Sequence, residues 1–179
     1  MRPEFAVGAV DVAIAGAKKN IAAIKSVPAE SLTYENCVLA YDTAAAELDT
    51  VYLRITHLAS VADPPALRDA VAAVAAPVAD FYSSVRLDCD LYRKFVQYSQ
   101  SPEGSKLGGA RRRMLTQTLL DFELGGANLP SAQKERIAEI DRLLAVKTQK
   151  FSENVLDDTK SFVLNITDER DLSGLPAVA

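Results

Sequence analysis

Side chains that hold metals or carry out nucleophilic chemistry are scarce in this sequence. There is one histidine, His57, and the two cysteines, Cys37 and Cys89, lie far apart. Zinc hydrolases commonly use two or three imidazoles, and the chain has neither a His-Glu-x-x-His helix nor a Cys/His cluster. A serine nucleophile needs a histidine and a carboxylate around it, and no Gly-x-Ser-x-Gly elbow occurs. The glycines at Gly104, Gly108 and Gly109 lack the Lys-Ser/Thr ending of a phosphate loop and read as an ordinary loop. Carboxylates are plentiful, but they fall at surface-like helical positions, which is weak ground for a paired-carboxylate site. The expectation is a chain with no catalytic residue, metal ligand or cofactor site of its own.

Other absences narrow the partners. No uninterrupted apolar run approaches a membrane span, and a net charge of −4 with pI near 5.1 gives no general attraction to nucleic acid or anionic lipid. Arg111-Arg112-Arg113 is the one basic cluster; neighbouring positions on a helix point in different directions, which favours a solvated or ion-paired face over a polyanion site. Two cysteines without metal-like spacing read as free thiols in a reducing compartment, with one disulfide as the alternative, so the expected location is cytoplasmic. Phe5 to Ala17 is apolar apart from Asp11, follows Arg2 and ends in Ala15-Gly16-Ala17, the outline of a secretory signal. Against that reading, Val7, Val10, Ile14, Ala17, Ile21 and Ile24 keep three-four spacing past the cleavage point, and Glu4, Asp11, Lys18 and Lys25 recur on another face. That is an amphipathic helix with acid near its start and base near its end.

What is present is helical periodicity over most of the chain. With 179 residues, 49% hydrophobic, it can form one domain with a substantial core. The expected fold is a single all-α domain over residues 1–179, a bundle of antiparallel helices with one short strand-like segment near its C-terminus. Pro3 suits a first helical turn, Pro28 marks its stop, and Thr33 is a good N-cap for a second helix with stripe Val38, Tyr41, Ala45, Leu48, Tyr52 and Ile55. These two helices should pair across the 26–33 turn. Asp63-Pro64-Pro65 opens a third, whose residues 70–79 carry no charge, as suits a helix packed on more than one side. Pro77 lies inside it, so a kink or a break is expected there. Leu91, Phe95 and Tyr98 continue the helical period, a further helix runs from about Lys106 to Leu124 and stops at Gly125-Gly126, and Pro130-Ser131 opens the last. Its stripe is Ile137, Ile140, Leu144, Thr148, Phe151 and Val155. Phe162 to Ile166 is short and rich in β-favouring residues; a lone strand there needs an edge from elsewhere.

His57, in Thr56-His57-Leu58-Ala59-Ser60, has a rival reading as a phosphoryl acceptor on a helical bundle, but the Lys-Gly pair usual after such a histidine is absent. A packed or capping histidine near a helix end is the simpler reading.

Several stretches together resemble the N-terminal domain of the thimet oligopeptidase, neurolysin, oligopeptidase A and dipeptidyl carboxypeptidase family of zinc metallopeptidases. They are Thr33-Tyr34-Glu35-Asn36; His57-Leu58 with Val61, Asp63 and Leu67-Arg68; Asp121-Phe122; Gly125-Gly126-Ala127-Asn128-Leu129-Pro130; Phe151-Ser152-Glu153-Asn154-Val155-Leu156-Asp157-Asp158-Thr159; and Ile166-Thr167-Asp168 through Gly174-Leu175-Pro176. The resemblance covers most of the chain in order. It implies a helical wall over a deep channel that admits short peptides, with zinc and its ligands in a catalytic domain absent from this sequence. It also implies that Phe162, Leu164 and Ile166 lie at the interface with that domain, and that apolar surface around the last helix is left uncovered without it. A second copy of the chain, forming a homodimer, is one cover for such a patch. The alternative function is a non-catalytic helical protein-interaction module on the same scaffold, and histidine phosphotransfer through His57 comes third.

Overall fold

The computed structural model describes residues 5–62 and 64–174, an all-α bundle. Helix α1 (Ala6–Ser26) buries Val10, Ile14, Ala17, Ile21 and Ile24 along one face, as the spacing requires, while Val7 is exposed. Thr33 opens the next stretch through a reciprocal capping box: its hydroxyl accepts from the Asn36 N–H at 3.1 Å, and the Asn36 carbonyl oxygen accepts from the Thr33 N–H at 2.8 Å. Tyr34–Leu39 winds as a π-helix, continues as α2 (Ala40–Thr43), turns at 44–45 and resumes as α3 (Ala46–Ala62). The Asn20 side-chain amide of α1 donates to the Ala44 carbonyl at that turn, 3.0 Å away, satisfying a carbonyl the broken helix leaves over. Pro3, Asp63, Leu175 and Pro176 lie outside the described residues.

Helix α4 (Pro65–Arg86) runs unbroken through Pro77, so of the kink or break expected there the break does not occur. The chain bends ten residues on, at Leu87-Asp88, where α5 (Cys89–Gln100) leaves at 43° to α4. Asp88 supplies the reason. Its carboxylate accepts from the N–H groups of Asp90 and Leu91, both at 2.9 Å, so a new helix can start there with its first donors satisfied. Lys25 at the end of α1 pairs with the same carboxylate at 2.6 Å.

The bend also separates two apolar cores. The first joins Ala6–Ala17 of α1 with Leu48 and Ile55 of α3 and with Leu67, Val71, Val74, Val78 and Phe81 of α4. The second joins Ile21 and Ile24 to Tyr34, Cys37 and Val38, to Leu91, Phe95 and Tyr98 of α5, and to Leu115 and Phe122 of the helix that follows, α6 (Gly109–Gly125). The rings of Tyr41, Phe95 and Phe122 meet at centroid distances of 5.1 to 5.6 Å in its middle. Helix α1 is long enough to contribute to both.

Helix α6 runs from Gly109 to Gly125, starting later than expected because Lys106 belongs to a preceding 3₁₀ turn. Gly126 ends it in the left-handed conformation, φ +96°, and the last helix, α7 (Ser131–Ser161), follows after a short loop. Beyond α7, residues 162–168 are neither helical nor paired; Phe162 starts the segment with extended dihedrals, and no strand forms among the described residues. The apolar β-rich run alone supplies no partner edge, so it remains an unpaired extended segment.

A Cβ at Gly126 would lie 2.8 Å from Leu129 Cδ1 and 3.2 Å from Ile137 Cδ1, in addition to the left-handed backbone penalty. Gly126→Ala is therefore expected to lower unfolding free energy by about 1–2 kcal/mol, read as an earlier urea midpoint with unchanged slope.

Candidate functional site

Helix α7 is where the domain is least self-sufficient. None of its residues is buried. Its apolar stripe only partly faces α4: Ile140, Leu144 and Val155 are exposed, and Phe151 is 68% exposed. The segment after it continues the same character, with Phe162 74% and Leu164 69% exposed and Ile166 also exposed. The resemblance implied apolar surface left uncovered around the last helix, and the fold leaves much of that stripe in water.

Charge pairs fasten α7 in place of a buried face. The Arg68 guanidinium donates to both oxygens of Asp157 at 2.9 and 2.8 Å. Arg142 donates to both oxygens of Asp80 at 2.9 Å, and Arg86 pairs with Asp141. The bidentate forks fix the register of α7 on α4, while their exposure keeps each pair's net contribution to about 0–1 kcal/mol. Arg68 and Asp157 come from separate stretches singled out in the sequence, and the fold brings them together. Asp80, Arg86, Asp141 and Arg142 had no signal in the sequence beyond helical charge spacing.

Between α3 and α7, with α4 as its floor, lie two adjoining clefts of about 460 Å³ each, which share Gln149 and Ser152 as lining residues. Ser83 lies on the floor, 4% exposed, and its Oγ has no hydrogen-bond partner among the described residues. Other helical serines here bond a carbonyl three residues back, as Ser84 does to Phe81 and Ser99 to Val96.

The side chains with intrinsic chemistry do not converge. His57 is exposed on α3, neither packed nor capping, and its own carbonyl accepts from the Ser60 hydroxyl. Cys37 is buried and Cys89 half-buried, both free thiols. Among the described residues no three His, Cys, Asp or Glu side chains come together as a group that could hold a metal ion. Arg111 lies over the Tyr34 ring at 4.6 Å and 3.8 Å from Glu35, and Arg112 donates to the Gly104 carbonyl, which makes the basic cluster a stacked and paired face. No single helix among the described residues is long and apolar enough to cross a membrane.

Electrostatic shifts point away from neutral-pH chemistry. Burial pushes the Cys37 thiol up to about 12, and burial with the Glu103 carboxylate beside it raises Tyr98 to about 12. Tyr82 is raised further by burial and by its hydrogen bond to Asp49. A general acid or base works best with a pKa near the operating pH, and these groups are moved the other way.

The geometry thus defines an all-helical domain whose core is complete on one side and whose last helix presents apolar surface on the other. Comparison with known proteins gives the family. The profile described as Neurolysin/Thimet oligopeptidase, N-terminal domain, matches residues 14–134. Oligopeptidase A of Salmonella typhimurium is 31% identical over 181 residues, covering 100% of this chain and 26% of that protein. Probable cytosolic oligopeptidase A of Arabidopsis thaliana is 34% identical over 132 residues, 74% of this chain and 19% of that protein. Oligopeptidase A of Escherichia coli is 28% identical over 177 residues, 99% of this chain and 26% of that protein. The chain belongs to the neurolysin/thimet oligopeptidase N-terminal domain family, and it spans about a quarter or less of the length of these relatives.

The raised thiol pKa makes a pH prediction. The fold favours the neutral thiol, so between the unfolded value near 9.0 and the folded value of about 12 the unfolded chain holds fewer protons than the native one. Stability from this group is complete below pH 9 and is lost as pH rises towards 12. Urea midpoints should fall across that window, the buried tyrosines adding to the loss at its upper end. At pH 8 a thiol reagent should modify Cys89 readily and Cys37 only as the chain unfolds.

Proposed function

We propose that this chain is the access-shaping domain of a zinc-dependent oligopeptidase, forming one wall of the channel through which short peptides reach a catalytic domain supplied by further sequence. Family membership supports the peptidase context. The observation that carries the reading is α7: a 31-residue helix with an apolar stripe and no buried residue is built to meet another body of protein. On this reading Phe162, Leu164 and Ile166 continue that surface onto the catalytic domain, and the extended 162–166 segment finds its missing sheet edge there. Zinc belongs with the catalytic domain, and no residue of this chain takes a step in its chemistry. A cytoplasmic location accords with the free thiols of Cys37 and Cys89. Subcellular fractionation checks it.

The test of function is peptide cleavage with added zinc, measured for this chain alone and after joining it to a catalytic portion. The expected result is turnover only in the joined protein; chelator-sensitive turnover by the chain alone would overturn the reading. Replacing Phe162 and Leu164 by Asp, both exposed, should leave the isolated domain folded and weaken its association with the catalytic portion by at least about tenfold, the scale of interface anchors.

Without that portion, a second copy is proposed to cover the same face. Light scattering should then show a dimer that grows with concentration, and a monomer throughout the range would count against it.

A further inference from the structure

The cleft over α4 has the form of a helix seat. Its floor repeats at Val71, Ala79 and Ser83, one wall at Tyr52, Thr56 and Ala59 of α3, and the other at Leu144, Thr148, Ser152 and Val155 of α7. Side chains recurring every three or four residues on α3 and α7, over the small residues of α4, form the ridges and grooves into which a fourth helix sets its own. Ala59, Ala79, Ser83 and Ser152 are small enough for close approach. From Arg68 to Arg86 the floor runs about 27 Å at 1.5 Å per residue, room for a helix of about 18 residues.

The charges around the cleft are already engaged. Arg68 holds Asp157 at one end; Arg86 holds Asp141 and Tyr82 binds Asp49 at the other. Glu153, between them on α7, is held by Lys150 and Gln149. Between those charged ends the floor at Val71 and Ala79 is apolar.

An extended peptide lying here would bring unpaired amides along its whole length. The wall hydroxyls of Thr56, Ser60, Ser152 and Thr159 already donate to carbonyls of their own helices. A helix satisfies its own backbone and needs only packing. We propose that this cleft seats an amphipathic helix of the catalytic portion, uncharged in its middle. The proposal rests on the reading above that a catalytic portion accompanies this domain. This chain covers 26% of the Salmonella typhimurium relative, so the relatives carry ample further sequence to supply such a helix. The pairing of Arg68 with Asp157 and of Arg86 with Asp141 makes α7 antiparallel to α4. The seated helix then runs in the direction of α4, antiparallel to both walls, completing a four-helix unit.

The test places single cysteines at Ala59 and Thr148 in the cleft and at Val146 on the exposed part of α7, and compares their alkylation rates by iodoacetamide in this chain alone and joined to its catalytic portion. The expected result is at least a tenfold slowing at both cleft positions in the joined protein. Slowing at Val146 alone would overturn the helix seat while leaving the catalytic-portion reading intact; no slowing anywhere would overturn both. Cleft protection that rises with the concentration of the isolated chain would assign the cleft to a second copy. Protection of the joined protein that appears only on adding a short peptide would assign it to peptide. Either result overturns the proposal.

Discussion

Helices α1, α3 and α7 all pack on α4, and they can do so because residues 70–79 of α4 are only alanine, valine and proline. Close packing of several helices on one requires small, uncharged side chains around most of its circumference, since interaxial distances of about 8–10 Å leave no room for long ones. Val71, Val74 and Val78 fill the side towards α1 and α3. Charge returns on either side of this stretch, where Arg68, Asp80 and Arg86 engage α7. The apolar middle sets the spacing of the bundle, and the charges flanking it set the register of its last helix.

That division explains why the two sides of the molecule differ. On the α1 and α3 side, apolar burial at about 25 cal/mol per Å² dominates, and Leu48, Ile55 and Val71 are almost wholly enclosed. On the α7 side, ion pairs open to water contribute little energy but fix geometry. A helix fastened this way keeps Phe151 and Val155 exposed without losing its place. Such a surface suits association with a larger body far better than isolation, and it connects the fold of this domain to the peptidase family in which it occurs.

The bend at Leu87-Asp88 serves the same end. It lets one chain build two cores around a shared α1, the second tightened by the Tyr41, Phe95 and Phe122 rings and by the Tyr98 hydroxyl on Glu103. The second core holds α6 and the Gly126 turn, from which α7 sets out along α4.

Much of this was legible in the amino-acid sequence. The stripes of α1, α3 and α5, the Thr33 cap, the Gly126 stop and the all-α class follow from local periodicity and capping chemistry, which act over a few residues. The family resemblance was legible too, as an ordered set of short stretches. The bend at Leu87-Asp88 was not: it depends on the passage between two cores, with the Asp88 cap starting the new helix. That α7 would stay open was legible only through that resemblance, because periodicity reports which face is apolar and not whether another surface exists to cover it. The pairing of Arg68 with Asp157 and the isolation of the Ser83 hydroxyl depend on helices distant in sequence coming side by side. Local chemistry therefore determined the elements, and only the tertiary packing decided which of their faces were left to meet something else.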